Sequence, residues 1–320
     1  MSKRIIVGMS GGVDSSVAAY KLKNNGYDTE CVFMKNWDDN SDECSSEKDY
    51  RDALQVCNKL KLPLHTVNFT KEYKSMVFSH FLEEEKLGRT PNPDILCNQK
   101  IKFKLFLEYA LSLDADLIAT GHYARVDYSD SKYSLLKGLD KQKDQSYFLH
   151  AIDQWALSHT VFPLGDCKKS EVRYIASKEN LITSKKKDST GICFIGERNF
   201  PKFLQRFLPK NPGNIINDLG KVIGQHDGLM FYTIGQRKGI GIGGGFGVEG
   251  LPWYVATKDI TTNELVVVQG INNPLLYSNK LRGSNLNWIK GEAPETNKSY
   301  NAKIRYRQTD QRCQLNILND

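Results

Sequence analysis

Two cysteines and one glycine–serine loop carry the residue types in this chain best suited to covalent chemistry. Cys97 lies in GRTPNPDILCNQKIKF (88–103), past a proline-rounded loop and near the start of a helix bearing Lys100, Lys102 and Lys104. A helix N-terminus and nearby cations lower a thiol pKa and favour the reactive thiolate. Asp94, three residues earlier, could act beside it as a general acid or base, or could simply cap the helix. Cys193 sits in the strand-like GICFIG behind Lys185-Lys186-Lys187. On its own, a cysteine in such an apolar run is more often core than catalytic. The loop is VGMSGGVDSSVAAY (7–20). Gly11 and Gly12 let backbone approach a phosphate closely, Ser10, Ser15 and Ser16 add hydroxyl donors, and a following helix N-terminus attracts anions. A Walker loop, GxxxxGK[ST], would place a lysine on the β/γ-phosphates; here Asp14 and Ser15 take the place of that lysine and its neighbour. The loop therefore suits a pyrophosphate leaving from an α-phosphate better than γ-phosphoryl transfer. Asp14 adds a hard oxygen that suits Mg²⁺ held between phosphates.

These residues need a scaffold, and the first half of the chain predicts one. KRIIVGM reads as a buried strand, and residues 13–25 as a helix closed by Gly26. YDTECVFM is a second strand, and residues 46–61 space Tyr50, Ala53, Leu54, Cys57 and Leu60 as on a helix. PLHTVNF is a third strand, helices follow over about 71–87 and 98–113, and ADLIAT is a further strand. Strand–helix alternation implies an α/β fold with a doubly wound parallel sheet. Ligands in such sheets bind outside the carboxyl ends of the strands, where the 7–20 loop lies. From about residue 200 the pattern changes. The amphipathic NFPKFLQRFL leads into the turn cluster PKNPG, then KVIGQH, LMFYTIG, WYVATKD and ELVVVQG read as strands of a small β domain. LRGSNLNWI and KIRYRQ read as strands of a third module. The glycine run GIGIGGGFG (239–247) lies between strands rather than in a βαβ unit, so it reads as a loop and not a dinucleotide motif. The expected domains are 1–200, 201–273 and 274–320.

The chain has 320 residues, 40% hydrophobic and 25% charged, which is ordinary globular composition. It shows no run of 18 apolar residues and no secretory leader, so a cytoplasmic protein without a membrane span is expected. Its seven cysteines form no CxxC pair, which argues against a disulfide framework or a zinc knuckle. The net charge is +7, and residues 201–320 carry 15 Lys and Arg against 9 acidic residues. A basic final third suits either a polyanionic partner or a lysine-rich solvated face.

SGGVDS in its strand–loop–helix context resembles the PP-loop of the ATP pyrophosphatase superfamily, whose HUP-like domain activates a carbonyl oxygen by adenylation. With NPDILCN, ATGHYAR (119–125), KDQSYFL (143–149), STGICFIGER and RYRQ (305–308) in the same order, the whole chain resembles the tRNA 2-thiouridylase family. The resemblance implies ATP-dependent replacement of O2 of the wobble uridine by sulfur, with ATP and Mg²⁺ as cofactors. It implies that Gly8, Met9, Ser10, Gly11, Gly12, Val13, Asp14 and Ser15 hold ATP phosphates, and that Met34 and Gly121 line the adenosine. Asn92, Pro93 and Asp94 would meet the target base. Cys97 would be the nucleophile and Cys193 the persulfide carrier. His122, Lys143, Asp144, Gln145, Arg305 and Tyr306 would touch tRNA. Glutamate, glutamine and lysine tRNAs, and a sulfur-relay or cysteine desulfurase donor, are the implied partners of a monomer. The family's last β-barrel continues beyond RYRQ, so the barrel here is expected to be incomplete. Two other readings remain at this stage. A PP-loop synthetase or amidotransferase acting on a small molecule explains the loop but not the cysteines, and a non-enzymatic RNA-binding protein explains only the basic third.

Overall fold

The computed structural model describes residues 2–38, 46–188, 200–242, 246–248 and 250–318. The chain divides into two compact units: residues 1–77, 93–197 and 286–320 form one, and residues 78–92 and 198–285 form the other.

The first unit is built on a parallel sheet of β1 (Arg4–Gly8), β2 (Asp28–Lys35), β3 (Leu64–Asn68), β4 (Leu117–Ala119) and β7 (Thr160–Val161), in the order β3-β2-β1-β4-β7. Ile5, Ile6 and Val7 of β1 are all buried, because helices cover a parallel strand on both faces and leave no polar alternation. Helices α1 (Val13–Asn24), α2 (Ser46–Leu60) and α6 (Lys169–Lys178) belong to one face, with Val17, Ala53, Cys57 and Val172 in a common core around Val7 and Cys31, and the short helix α5 (Gln154–Ser158) leads into β7. The chain steps from β1 outward to β3, then resumes on the other side of β1 with β4. That reversal is the topological switch at which parallel sheets open a crevice, and it falls at the loop after β1.

Two helices contain wide turns. Helix α3 (70–86) carries a π-helical stretch over Lys74–Phe78, and α4 (93–111) carries one over Cys97–Leu105. Helix α3 matches the expected span of about 71–87 to within a residue, whereas α4 begins before the expected 98; it opens on Pro93, whose fixed φ suits a first helical turn. The hairpin β5 (Ala124–Ser129) and β6 (Lys132–Lys137) has no counterpart in the sequence reading. Its turn is Asp130-Ser131, both at positive φ, the conformation of a two-residue type I′ turn without the usual glycine.

The last segment of the first unit departs from expectation. LRGSNLNWI and KIRYRQ form no strand; the strands are β12 (Ser299–Ala302) and β13 (Gln311–Gln314), paired antiparallel. The residues before and between these strands instead reach back to the hairpin and its neighbours. Lys132 pairs with Glu292 at 2.7 Å, Lys137 with Asp310 at 2.5 Å, and Tyr147 donates to the Ile304 carbonyl at 3.2 Å.

In the second unit, β8 (Gly213–Asn217), β9 (Val222–His226), β10 (Trp253–Asp259) and β11 (Glu264–Gln269) form a sheet in the order β10-β11-β8-β9. Ile215, Ile223, Val255, Leu265 and Val267 are its core. LMFYTIG is not a strand: Leu229–Phe231 is a single 3₁₀ turn that buries Leu229, and the fourth strand is GNIIN. The short helix α7 (Phe200–Leu204) starts the unit's long segment, and Phe203 and Phe207 meet Phe78. The described part of the glycine run holds Gly239, Gly241 and Gly247 at positive φ, as a loop requires.

Candidate active site

The loop after β1 is shaped by contacts that leave no room for side chains. Gly11 has φ +70°, and a Cβ there would fall 2.2 Å from the Asp49 carbonyl oxygen. A Cβ on Gly121, in the loop after β4, would fall 2.8 Å from the Ser15 nitrogen and 2.9 Å from the Asp14 carbonyl carbon. Gly8 has Met34 and Phe106 at 3.3 Å from the same kind of position. Gly121 and Gly11 therefore let backbone close on backbone, at the first turn of α1 and at Asp49, while Gly8 makes room for the Met34 and Phe106 side chains. Gly12 is the N-cap in extended conformation and no side chain caps the helix, so its positive end is left uncompensated by a cap. The serines set the loop's curvature: Ser15 Oγ accepts from Ser10 N at 3.1 Å, and Ser16 Oγ donates to the Gly12 carbonyl at 2.7 Å. Buried Thr183 donates to Ser16 Oγ at 3.1 Å.

The charge the loop's own sequence omits arrives from elsewhere in the chain. Lys169, at the start of α6, places Nζ 2.7 and 2.8 Å from the two Asp14 carboxylate oxygens and 2.8 Å from Asp188. Tyr123 donates to Asp14 Oδ1 at 2.8 Å. Burial, and then the Asp14 charge beside it, pushes the Tyr123 phenol far above its ordinary range, so it stays a donor. Asp188 also takes Lys143 at 2.6 Å and Arg173 at 2.5 Å. Burial opposes ionisation of Asp188, but the hydrogen bonds from Lys143 and Lys169 win and hold its carboxyl at about 2. Lys186 donates to the Gly11 carbonyl at 2.9 Å and pairs with Asp49 and Asp52. In the sequence Lys186 is marked only as part of a basic run, and nothing there singles out Lys169. The local signal of Lys169 is a lysine at a helix start and that of Lys186 is only the basic run, at the end of a 3₁₀ turn; their partners lie 155 and 175 residues away.

The remaining expected residues fall into distinct settings. Cys97 is fully buried at the start of the wide-turn stretch of α4, and Asn98 beside it donates to the Phe148 carbonyl at 3.0 Å. Asp94 lies in the first turn of α4, half-buried, as are Asn92 and Pro93. His122 sits against Phe103 and Phe162; burial first, then Lys102, pushes its pKa well below the ordinary histidine value, so it is neutral at pH 7. Lys143 is committed to Asp188. Asp144 is buried and accepts from Gly138 N and from the Ser146 hydroxyl, and Gln145 Oε1 accepts from Tyr123 N. Gln145 thereby fastens the segment after β4 at Tyr123. Tyr306 packs against Phe148 with ring centres 4.5 Å apart, and Arg305 is exposed. Cys193 lies outside the described residues.

Among the described residues no cluster of three His, Cys, Asp or Glu side chains could hold a metal by itself. Mg²⁺ in phosphate sites uses one or two carboxylates and takes its other ligands from phosphates and water, so Asp14 alone fits that role.

Residues 3–197 match the family model described as tRNA methyl transferase HUP domain, 201–269 the tRNA methyl transferase PRC-barrel domain, and 278–320 the aminomethyltransferase beta-barrel domain. Curated relatives match over nearly the whole chain. The tRNA-specific 2-thiouridylase MnmA of Hydrogenovibrio crunogenus is 55% identical over 98% of this chain and 83% of its own length. The protein of that name from Methylobacillus flagellatus is 56% identical over 99% of this chain and 89% of its own. That from Bacillus subtilis is 53% identical over 98% and 84%.

Proposed function

The chain belongs to the tRNA-specific 2-thiouridylase family, and from that premise we propose that it converts the wobble uridine of tRNA to 2-thiouridine, using ATP to activate the base and a cysteine persulfide to deliver sulfur. The observation that carries the reading is the glycine-walled, uncapped start of α1 at the sheet's switch point, with Cys97 in the same unit. The family models carry a methyltransferase description, and the two chemistries ask for different sites. A methyl donor brings its own leaving group, and its acceptor needs no phosphate loop. A pyrimidine carbonyl oxygen leaves poorly and must first be activated.

In this reading, uracil O2 attacks the α-phosphate of ATP; the base is adenylated and pyrophosphate departs into the loop. The α1 N-terminus and the backbone around Gly11 and Gly12 stabilise its charge. Asp14 would hold Mg²⁺, which supplies further neutralisation of phosphate charge. The terminal sulfur of a Cys193 persulfide then bonds to C2, and AMP leaves. The Cys97 thiolate attacks the Cys193 sulfur, the remaining S–S bond breaks, and 2-thiouracil is released as a Cys97–Cys193 disulfide closes. A cellular dithiol returns both cysteines to thiols, as is usual for catalytic disulfides in reducing compartments. Because Cys97 is buried, the approach of base and persulfide requires α4 to open at its wide turn. Stretches of this kind are common at functional sites. Asn92, Pro93 and Asp94 border that turn and are assigned to the base. His122, Lys143, Asp144, Gln145, Arg305 and Tyr306 are assigned to the tRNA side, and Met34 and Gly121 to the adenosine. Residues 1–200 then form the activating domain, with 201–273 and 274–320 as β modules toward tRNA. Glutamate, glutamine and lysine tRNAs are the expected acceptors, with a sulfur-relay or desulfurase protein as donor in the cytoplasm.

The test is thiolation in vitro with ATP, a persulfide donor and those unmodified tRNAs, read by nucleoside mass spectrometry. Cys97→Ser and Cys193→Ser should each abolish 2-thiouridine formation. A variant that thiolates at the wild-type rate removes its cysteine from the scheme. ATP–pyrophosphate exchange that needs no tRNA would instead favour a small-molecule synthetase.

A further inference from the structure

We propose that Lys169 is the phosphate-binding cation that the loop after β1 lacks, held by Asp14 until nucleotide arrives and then exchanged onto the β- and γ-phosphates. The proposal rests on the reading of ATP as cosubstrate. A lysine side chain only 12% exposed is unusual and must be matched by carboxylates or used on a ligand. Lys169, Lys143 and Arg173 converge on Asp188, and Lys169 alone continues to Asp14. Asp140 is the third carboxylate of the cluster: it accepts the Lys169 backbone N–H at 2.9 Å, and its charge acts on Lys143. The Lys169 ammonium is thus matched, and it is held on a residue in the first turn of a helix whose N-terminus no side chain caps. The ammonium and the uncapped N-terminus are independent features, and both favour an anion at the same place.

The geometry also says which contact can be given up. Asp188 has two other cations, so it stays partnered whatever Lys169 does. Asp14 has Tyr123 as a second donor, and Mg²⁺ would compensate its charge when the phosphates arrive. Swapping the Asp14–Lys169 pair for Asp14–Mg²⁺ and Lys169–phosphate therefore leaves no buried charge unmatched. Lys186 does not fit the same role. It faces Asp49 and Asp52, and its Nζ also holds the Gly11 carbonyl, so moving it would unfasten the loop.

The experiment is calorimetric binding of ATP and of AMP, each with Mg²⁺, to the full chain and to Lys169→Ala. AMP lacks the phosphates that Lys169 would meet. Lys169→Ala should weaken ATP binding about tenfold or more, the loss of one charge-assisted hydrogen bond, while AMP binding stays within about twofold. Lys169→Arg should recover most of the ATP affinity. If the alanine variant proves unstable, Lys169→Gln keeps the length and a donor for Asp14, and should show the same selective loss. Equal loss for ATP and AMP, or no loss for either, overturns the proposal and leaves Lys169 as a structural counter-ion. If the wild-type protein itself does not prefer ATP to AMP, the cosubstrate reading fails instead.

Discussion

Gly121→Ala adds one methyl group at the point where the loop after β4 meets the phosphate loop. The new carbon would fall 2.8 Å from Ser15 N, 2.9 Å from the Asp14 carbonyl carbon and 3.0 Å from Asp14 Cβ. Two of these are backbone atoms, so no rotamer relieves the overlap. Restoring ordinary contact requires the two backbones to part by about half an ångström, and overpacking of this kind costs roughly 1–3 kcal/mol. The atoms displaced are those that present the α1 N-terminus to a phosphate, and misplacing a binding group by such a distance costs about tenfold or more in rate. Gly26→Ala is the matched control. Gly26 has φ +81° with nothing within 4 Å of the added carbon, so it should lose about 1 kcal/mol from backbone strain alone. Urea unfolding and tRNA-dependent pyrophosphate exchange, measured on both variants, separate the effects. Gly26→Ala should lose stability only; Gly121→Ala should lose stability and exchange together. Wild-type exchange in Gly121→Ala would refute the claim that this contact sets the loop.

Two pH-dependent outcomes follow from carboxylates whose pKa the fold shifts in opposite directions. The Asp188 carboxyl is held at about 2 against an ordinary 3.8, so its contribution is full above pH 4 and is lost as pH falls toward 2. Asp188→Asn should therefore cost about 1–2 kcal/mol at pH 7, with the difference from wild type shrinking in acid unfolding measurements. Glu85, 4% exposed in the second unit, is pushed up to about 7 by burial, with Lys258 opposing. A raised carboxyl stabilises the fold below about pH 4.5 and loses that contribution as pH climbs to 7, so wild-type thermal stability should fall over this range. Glu85→Gln should flatten the slope; an unchanged slope would mean Glu85 does not carry it.

What could be read from the sequence follows the distance over which each feature is determined. β1, the glycine loop and α1 are local: an apolar run, small residues and a helical stripe identify one another within 20 positions. The parallel sheet follows from the repetition of that pattern. The hairpin over 124–137 was hidden because Asp130 and Ser131 take the positive φ that glycine or asparagine usually marks. RYRQ looks like a strand because Tyr alternates with Arg, yet Tyr306 is used as a ring packed on Phe148. LMFYTIG fails similarly, its apolar residues filling the end of a sheet rather than extending it. The Asp188 hub was out of reach for a different reason. Lys143, Lys169 and Arg173 are unremarkable singly, and only the fold brings them onto one carboxylate.

The return of residues 286–318 to the first unit has a consequence for biosynthesis. Tyr147 and Ile304 meet across 157 positions, and the second unit's long segment, residues 198–285, is translated between them. On the ribosome, the parallel sheet and its phosphate loop can assemble early, but the face carrying Tyr147 and Phe148 must wait, solvent-facing, through more than a hundred further codons. That interval of exposed aromatic surface is where a nascent chain is open to capture by chaperones or to misassociation. Synonymous changes that slow translation between codons 198 and 285 should lengthen it without altering a single contact in the finished protein.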